Sequence, residues 1–108
     1  MNMTWQEKRN KEIEKLLSLI TQKFSVKKDE LISKSRKRNL VSARRYFMNI
    51  IFETFEIDAM KHVDISKIIK RDRTSFIHNR KEHLNEYNQY KTYKQEYDNF
   101  KKEYQTTL

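Results

Sequence analysis

The 108-residue chain contains no cysteine, no glycine and no proline. Without cysteine, disulfide frameworks and thiolate-ligated zinc are excluded. Without glycine, the tight hairpin turns built on Asn-Gly or Asp-Gly cannot form, and the Gly-rich loops that cradle nucleotide phosphates are missing. This argues against an ATP- or GTP-driven engine. No apolar run approaches the ~18 residues that a membrane span requires, and no signal-peptide pattern opens the chain. The expectation is a soluble, cytoplasmic protein with no membrane contact. The three histidines, His62, His78 and His83, lack the i, i+4 spacing of a metal-binding helix and have no cysteine to join them, so no metal or other cofactor is expected. No carboxylate cluster of a metal nuclease is present either, and no enzyme activity is expected.

What the chain has in excess is positive charge: 24 Lys and Arg against 15 Asp and Glu, a net charge of +9. The excess is local. Residues 1–80 carry 19 basic and 10 acidic side chains, whereas residues 81–108 carry five of each. A polyanion-binding body with a neutral extension follows from that segregation.

With no helix breaker and abundant Lys, Glu, Ile and Leu, the chain reads as nearly all α. Thr4 and Glu7 have the spacing of a capping box. Trp5, Ile13, Leu16, Leu17, Ile20 and Phe24 then share one stripe about 120° wide, which makes a first amphipathic helix. A short helix near Lys28–Ser33 brings Leu31 and Ile32 to the core. Ser33–Leu40 has no apolar period and reads as a solvated loop. Ser42–Glu56 is the most apolar stretch, and Phe47, Met48, Ile51, Phe52 and Phe55 on one face predict a central, enclosed helix. A short helix over Asp64–Ile69, a turn at Lys70–Asp72 and a longer polar helix from Arg73 make a helix-turn-helix pattern, with Asp72 as N-cap.

Beyond His83 the character changes. Tyr90, Tyr93, Tyr97, Phe100 and Tyr104 fall within about 80° on a helical wheel. Such a stripe either folds back on the body, pairs with a second copy of the chain, or meets another protein, since tyrosine-rich faces suit interfaces. The last residues, Gln105–Leu108, are expected to fray.

Two segments carry the charge that needs explaining. SKSRKRNLVSARR (Ser33–Arg45) places six cationic side chains in thirteen positions with no acid among them. Arg71-Asp72-Arg73-Thr74-Ser75-Phe76-Ile77-His78 sets arginines around a helix start, where cations oppose the macrodipole. A phosphate or guanine acceptor would justify them. Thr74 and Ser75 could merely support the helix N-terminus, and His78 could be a partly buried helix residue, but side chains at the front of a helix in the major groove are the ones that reach bases.

In order and spacing these two segments resemble the C-terminal DNA-binding domain of the bacterial replication initiator DnaA. That family has a basic loop of the form SKxRxR leading into an Arg-containing helix start, and a later signature of the form GRDHTTVxHA. The resemblance covers about residues 13–84. It implies that Arg36 enters the minor groove and that Arg44 and Arg45 grip phosphates. It also implies that Arg71, Asp72, Arg73, Thr74, Ser75 and His78 contact bases and backbone. Arg73 stands where the family usually has His, Ser75 where it usually has Thr, and Lys70 where it has the turn glycine. Because Arg favours bidentate bonding to guanine O6 and N7, the family's recognition sequence does not carry over with the fold. No nucleotide-binding motor like that family's is expected in these 108 residues.

The sequence therefore predicts a small all-α protein. Residues 1–84 form a helix-turn-helix domain with a basic loop, and residues 85–108 form a long helical extension. It is expected to bind double-stranded DNA with sequence preference, with Lys34, Arg38, Arg44 and Arg45 on phosphates. A regulator of DNA replication or transcription associated with the nucleoid fits best. An adaptor that meets a replication protein through the aromatic extension is the alternative, and RNA binding by tyrosine stacking is a third reading.

Overall fold

The computed structural model describes residues 5–54 and 62–108, which form six helices: α1 (Trp5–Phe24), α2 (Lys28–Leu31), α3 (Arg38–Thr54), α4 (His62–Ile68), α5 (Arg73–Gln89) and α6 (Lys91–Thr106). Three expectations, the Thr4 cap and the core positions of the Trp5 and Phe55 side chains, lie outside the described residues.

The apolar stripes account for the packing. Ile13, Leu16, Leu17 and Ile20 of α1 are all buried, as the 3.6-residue period requires. They meet α3, whose Leu40, Ala43, Phe47, Met48, Ile50 and Ile51 are buried in turn. This helix packs against all five others and is the axis of the fold. It begins at Arg38, four residues earlier than the periodicity predicts, with Val41 N–H donating to Lys37 O at 3.0 Å. Leu40 explains the difference. Its burial draws the first turn into the core, so Arg38 sits on a helix rather than in a solvated loop.

The missing glycines leave a trace at two turns. Helices commonly end with a glycine in the left-handed conformation, where a Cβ is unfavourable. Here Ser25 ends α1 and Lys70 ends α4, each with φ 54°. Both turns still make the closing hydrogen bonds. Val26 N–H donates to Thr21 O at 3.1 Å, and Arg71 N–H donates to Ser66 O at 2.8 Å. The following α5 starts as predicted: the Asp72 carboxylate accepts from Ser75 N–H at 2.8 Å, a side-chain N-cap.

The chain breaks helix at Tyr90 and α6 returns over α1, α3 and α5. Tyr97, Phe100 and Tyr104 are buried in the same cluster as the α1 and α3 stripes. Tyr46 of α3 is at the centre, its ring 5.2 Å from Tyr97, 6.0 Å from Tyr93 and 5.0 Å from Phe24, all edge-on. Tyr104 also donates from its hydroxyl to Glu12 O of α1 at 2.9 Å. Fold-back is thus the outcome for the aromatic stripe. The expected surface for a second copy or partner through Tyr90, Tyr93, Tyr97, Phe100 and Tyr104 is not there: three of the five rings are enclosed, Tyr93 is half-buried, and only Tyr90 is exposed. The same burial removes the stacking platform that RNA binding would use. No helix among the described residues is long and apolar enough to cross a membrane.

Candidate nucleic-acid interface

The two charged segments, some 30 residues apart in sequence, meet in space. The loop between α2 and α3 and the front of α5 form the walls of an open cleft of about 660 Å³. Lys34 and Arg36 contribute from the loop, Arg44 and Arg45 from α3, Arg71 from the turn, and Ser75 and His78 from α5. None of the described residues lining it is acidic. Arg38, Asp72, Arg73 and Thr74 are exposed close by in sequence but do not line the cleft.

Arg44 holds the cleft together. It is buried, and its guanidinium donates to four backbone carbonyls: from Nε to Leu31 at 2.8 Å, from Nη1 to Ser35 at 2.6 Å, and from Nη2 to Glu30 at 3.0 Å and Ser33 at 2.8 Å. Those carbonyls end α2 and run through the basic loop, where Glu30 O also accepts from the Ser33 N–H and hydroxyl but no helix or strand ladder reaches Leu31, Ser33 or Ser35. Burial and the neighbouring Arg71 charge hold the Arg44 guanidinium below its usual pKa. This corrects the phosphate-gripping role expected for Arg44. Four of its five N–H donors already have protein acceptors, so it shapes the loop that carries Lys34 and Arg36.

Arg71 adds the second tie. Its Nη2 donates to the same Ser33 carbonyl at 2.5 Å. One backbone oxygen therefore receives a guanidinium from α3 and another from the helix-turn-helix turn, which fixes the basic loop relative to α5. Arg45 forms an ion pair with Glu86 at 2.8 Å, and its side chain is only 14% exposed. It remains at the cleft wall, partly neutralised. Asp72 is exposed, but its carboxylate serves as the cap: the backbone N–H of Ser75, then the Ser75 side chain, hold it below the usual carboxylate range. Lys34, Arg36, Arg38, Arg73, Thr74 and His78 are exposed, and Ser75 is half-buried.

A partly buried polar network ties α5 to α3 and α6. Arg80 donates from Nη1 to Asn49 Oδ1 at 3.0 Å and to Glu53 Oε2 at 2.8 Å, and its guanidinium lies 4.9 Å from the Phe52 ring centre. Glu53 also accepts from Tyr97 at 2.5 Å and Lys101 at 3.0 Å of α6. Burial pushes the Glu53 carboxyl up, but the hydrogen bonds from Tyr97, Arg80 and Lys101 outweigh it and leave it below the usual range. His83 is buried on the inner face of α5, with Nδ1 2.7 Å from the Tyr93 hydroxyl. The extension thus braces the helix whose far end faces the cleft.

Two cleft residues were not singled out by sequence. Val41 lies one turn before Arg45 on α3, and Asn79 lies one turn after Ser75 on α5. The i, i+4 rule applied from Ser75 would have found Asn79. Val41 carries no polar signal and is legible only in three dimensions.

Residues 13–82 match the family model described as the bacterial dnaA protein helix-turn-helix. No curated protein and no solved structure matches the chain.

Proposed function

The chain belongs to the bacterial dnaA protein helix-turn-helix family, and from that premise we propose that it is a sequence-selective double-stranded DNA-binding protein without enzyme activity. The cleft supports this reading best: cationic side chains from the loop and the turn face hydroxyl and imidazole groups on the front of α5, with no acid between them. The front of α5 enters the major groove, where Arg73, Thr74, Ser75 and His78 reach base edges. Arg36 enters the adjacent minor groove, and the sugar-phosphate strand separating the two grooves runs through the cleft. Lys34, Arg38, Arg45 and Arg71 neutralise phosphates. Control of replication or transcription at the nucleoid is the role that fits a DNA-reading domain of this family.

Selection of bound duplexes from a random pool tests the reading, followed by titration of the winning duplex against salt. With about four phosphates neutralised, log K should fall with log salt at a slope of about −3.6. Thr74→Ala should relax the preference at one or two base pairs by ~1–3 kcal/mol, whereas Lys34→Ala should weaken every duplex alike. A selected pool indistinguishable from the input would refute sequence-selective binding.

A further inference from the structure

We propose that Asn79 is a further base-reading side chain of α5 and that it selects adenine; the inference rests on the DNA-binding reading above. Asn79 lines the cleft one helical turn beyond Ser75, on the same edge of the helix. Its Nδ2 donates to Ser75 O at 2.9 Å. A carbonyl oxygen can only accept, so this contact fixes which way round the amide stands. It leaves Oδ1 as an acceptor and the second Nδ2 hydrogen as a donor. Among the described residues the bond to Ser75 O is the one hydrogen bond seen for this amide.

The neighbouring charges make that amide informative. Lys34, Arg45 and Arg71 already supply what a phosphate strand needs, and a neutral amide adds little to them. An adjacent donor and acceptor instead match a base edge. Adenine presents N6–H as donor beside N7 as acceptor in the major groove, which takes both Asn79 groups at once. Guanine offers two acceptors, cytosine a donor, and thymine an acceptor beside a methyl group, so each leaves one Asn79 group unmatched. The bond to Ser75 also holds the side chain in one rotamer, so the pairing needs less ordering of a free side chain than a flexible residue would.

The alternative is a purely local role, in which the Asn79 amide only closes a bond to the preceding turn, as polar residues in helices often do. The two roles predict different data. The test is pool selection and competition binding with the full chain as wild type, Asn79→Ala and Asn79→Asp, with thermal melts to establish folding. Expected is an adenine requirement at one position in the wild type. Asn79→Ala should lose about tenfold of discrimination at that position only. Asn79→Asp, which can only accept, should move the preference there towards cytosine N4. If Asn79→Ala binds selectively with an unchanged profile at every position, or weakens all duplexes equally, this inference is overturned while the DNA-binding reading stands. If the wild type binds no duplex, that reading falls and this inference falls with it.

Discussion

Replacing Arg44 by alanine should cost about 3–5 kcal/mol of folding stability and should not register as the loss of one phosphate contact. Four charge-assisted hydrogen bonds disappear, each worth roughly 1.5–3 kcal/mol. Their simple sum would overstate the effect, because water can reach some of the abandoned acceptors. The bond to Leu31 O is buried, whereas those to Ser35, Glu30 and Ser33 are partly buried. Leaving the buried carbonyl unmet costs about 1–3 kcal/mol, and the other three, which rehydrate or keep donors from Ser33 and Arg71, lose about 0.5–1 kcal/mol each, a total of about 2.5–6 kcal/mol centred on the stated range. Arg44→Lys should recover only part of it, since an ammonium is a point donor and cannot span four acceptors as a planar fork does. Urea unfolding followed by circular dichroism measures this. With a slope of about 1–1.5 kcal/mol per molar urea for a domain of this size, the midpoint should fall by roughly 2–5 M. Exposed Arg36→Ala serves as the contrast, with stability unchanged within about 0.5 kcal/mol. An Arg44→Ala protein as stable as wild type would show that the loop does not depend on these bonds.

Three further outcomes follow from the same structure. Burial depresses the His83 imidazole to about 4. The unfolded chain therefore takes up a proton near the ordinary pH of 6.5 that the folded chain refuses, and stability should fall by up to about 3 kcal/mol as pH drops from 6.5 to 4. Glu53, held below its usual range, adds loss in the same direction at lower pH. His83→Phe should flatten the 6.5-to-4 segment in urea titrations at stepped pH, and an undiminished slope there would assign it to other groups. Lys70→Gly should raise stability by about 0.5–1 kcal/mol, because a left-handed residue with a Cβ costs roughly 1–2 kcal/mol and glycine's added chain entropy offsets part of that. A fall in melting temperature would contradict it. Ending the chain after Gln89 removes the buried rings of Tyr97, Phe100 and Tyr104, a loss of roughly 5–9 kcal/mol, comparable to a whole domain's net stability. Circular dichroism should find that fragment largely unfolded, while light scattering of the full chain should report a monomer; a cooperatively folding fragment would mean that α6 is dispensable.

Most of the helices, and the helix-turn-helix at α4–α5, could be read directly from the residues, because caps and apolar periods act within a turn or two of backbone. Asp72 capping α5 and the α1 stripe from Ile13 to Ile20 are of that kind, and so is the confinement of the positive charge to residues 1–80. Tertiary structure decided what a single side chain meets. Arg44 and Arg36 look alike in sequence, yet one donates to four carbonyls in the interior and the other stands in solvent, since a guanidinium carries no mark of whether its acceptors are phosphate or backbone. The aromatic stripe of α6 likewise required burial without naming its partner; the break at Tyr90 and the waiting Tyr46 ring determined that it closes on its own chain. The cleft itself, with Asn79 and Val41 in its walls, is tied across by Ser33 O accepting from Arg44 and Arg71 together, a meeting of residues up to 38 positions apart that no local pattern encodes.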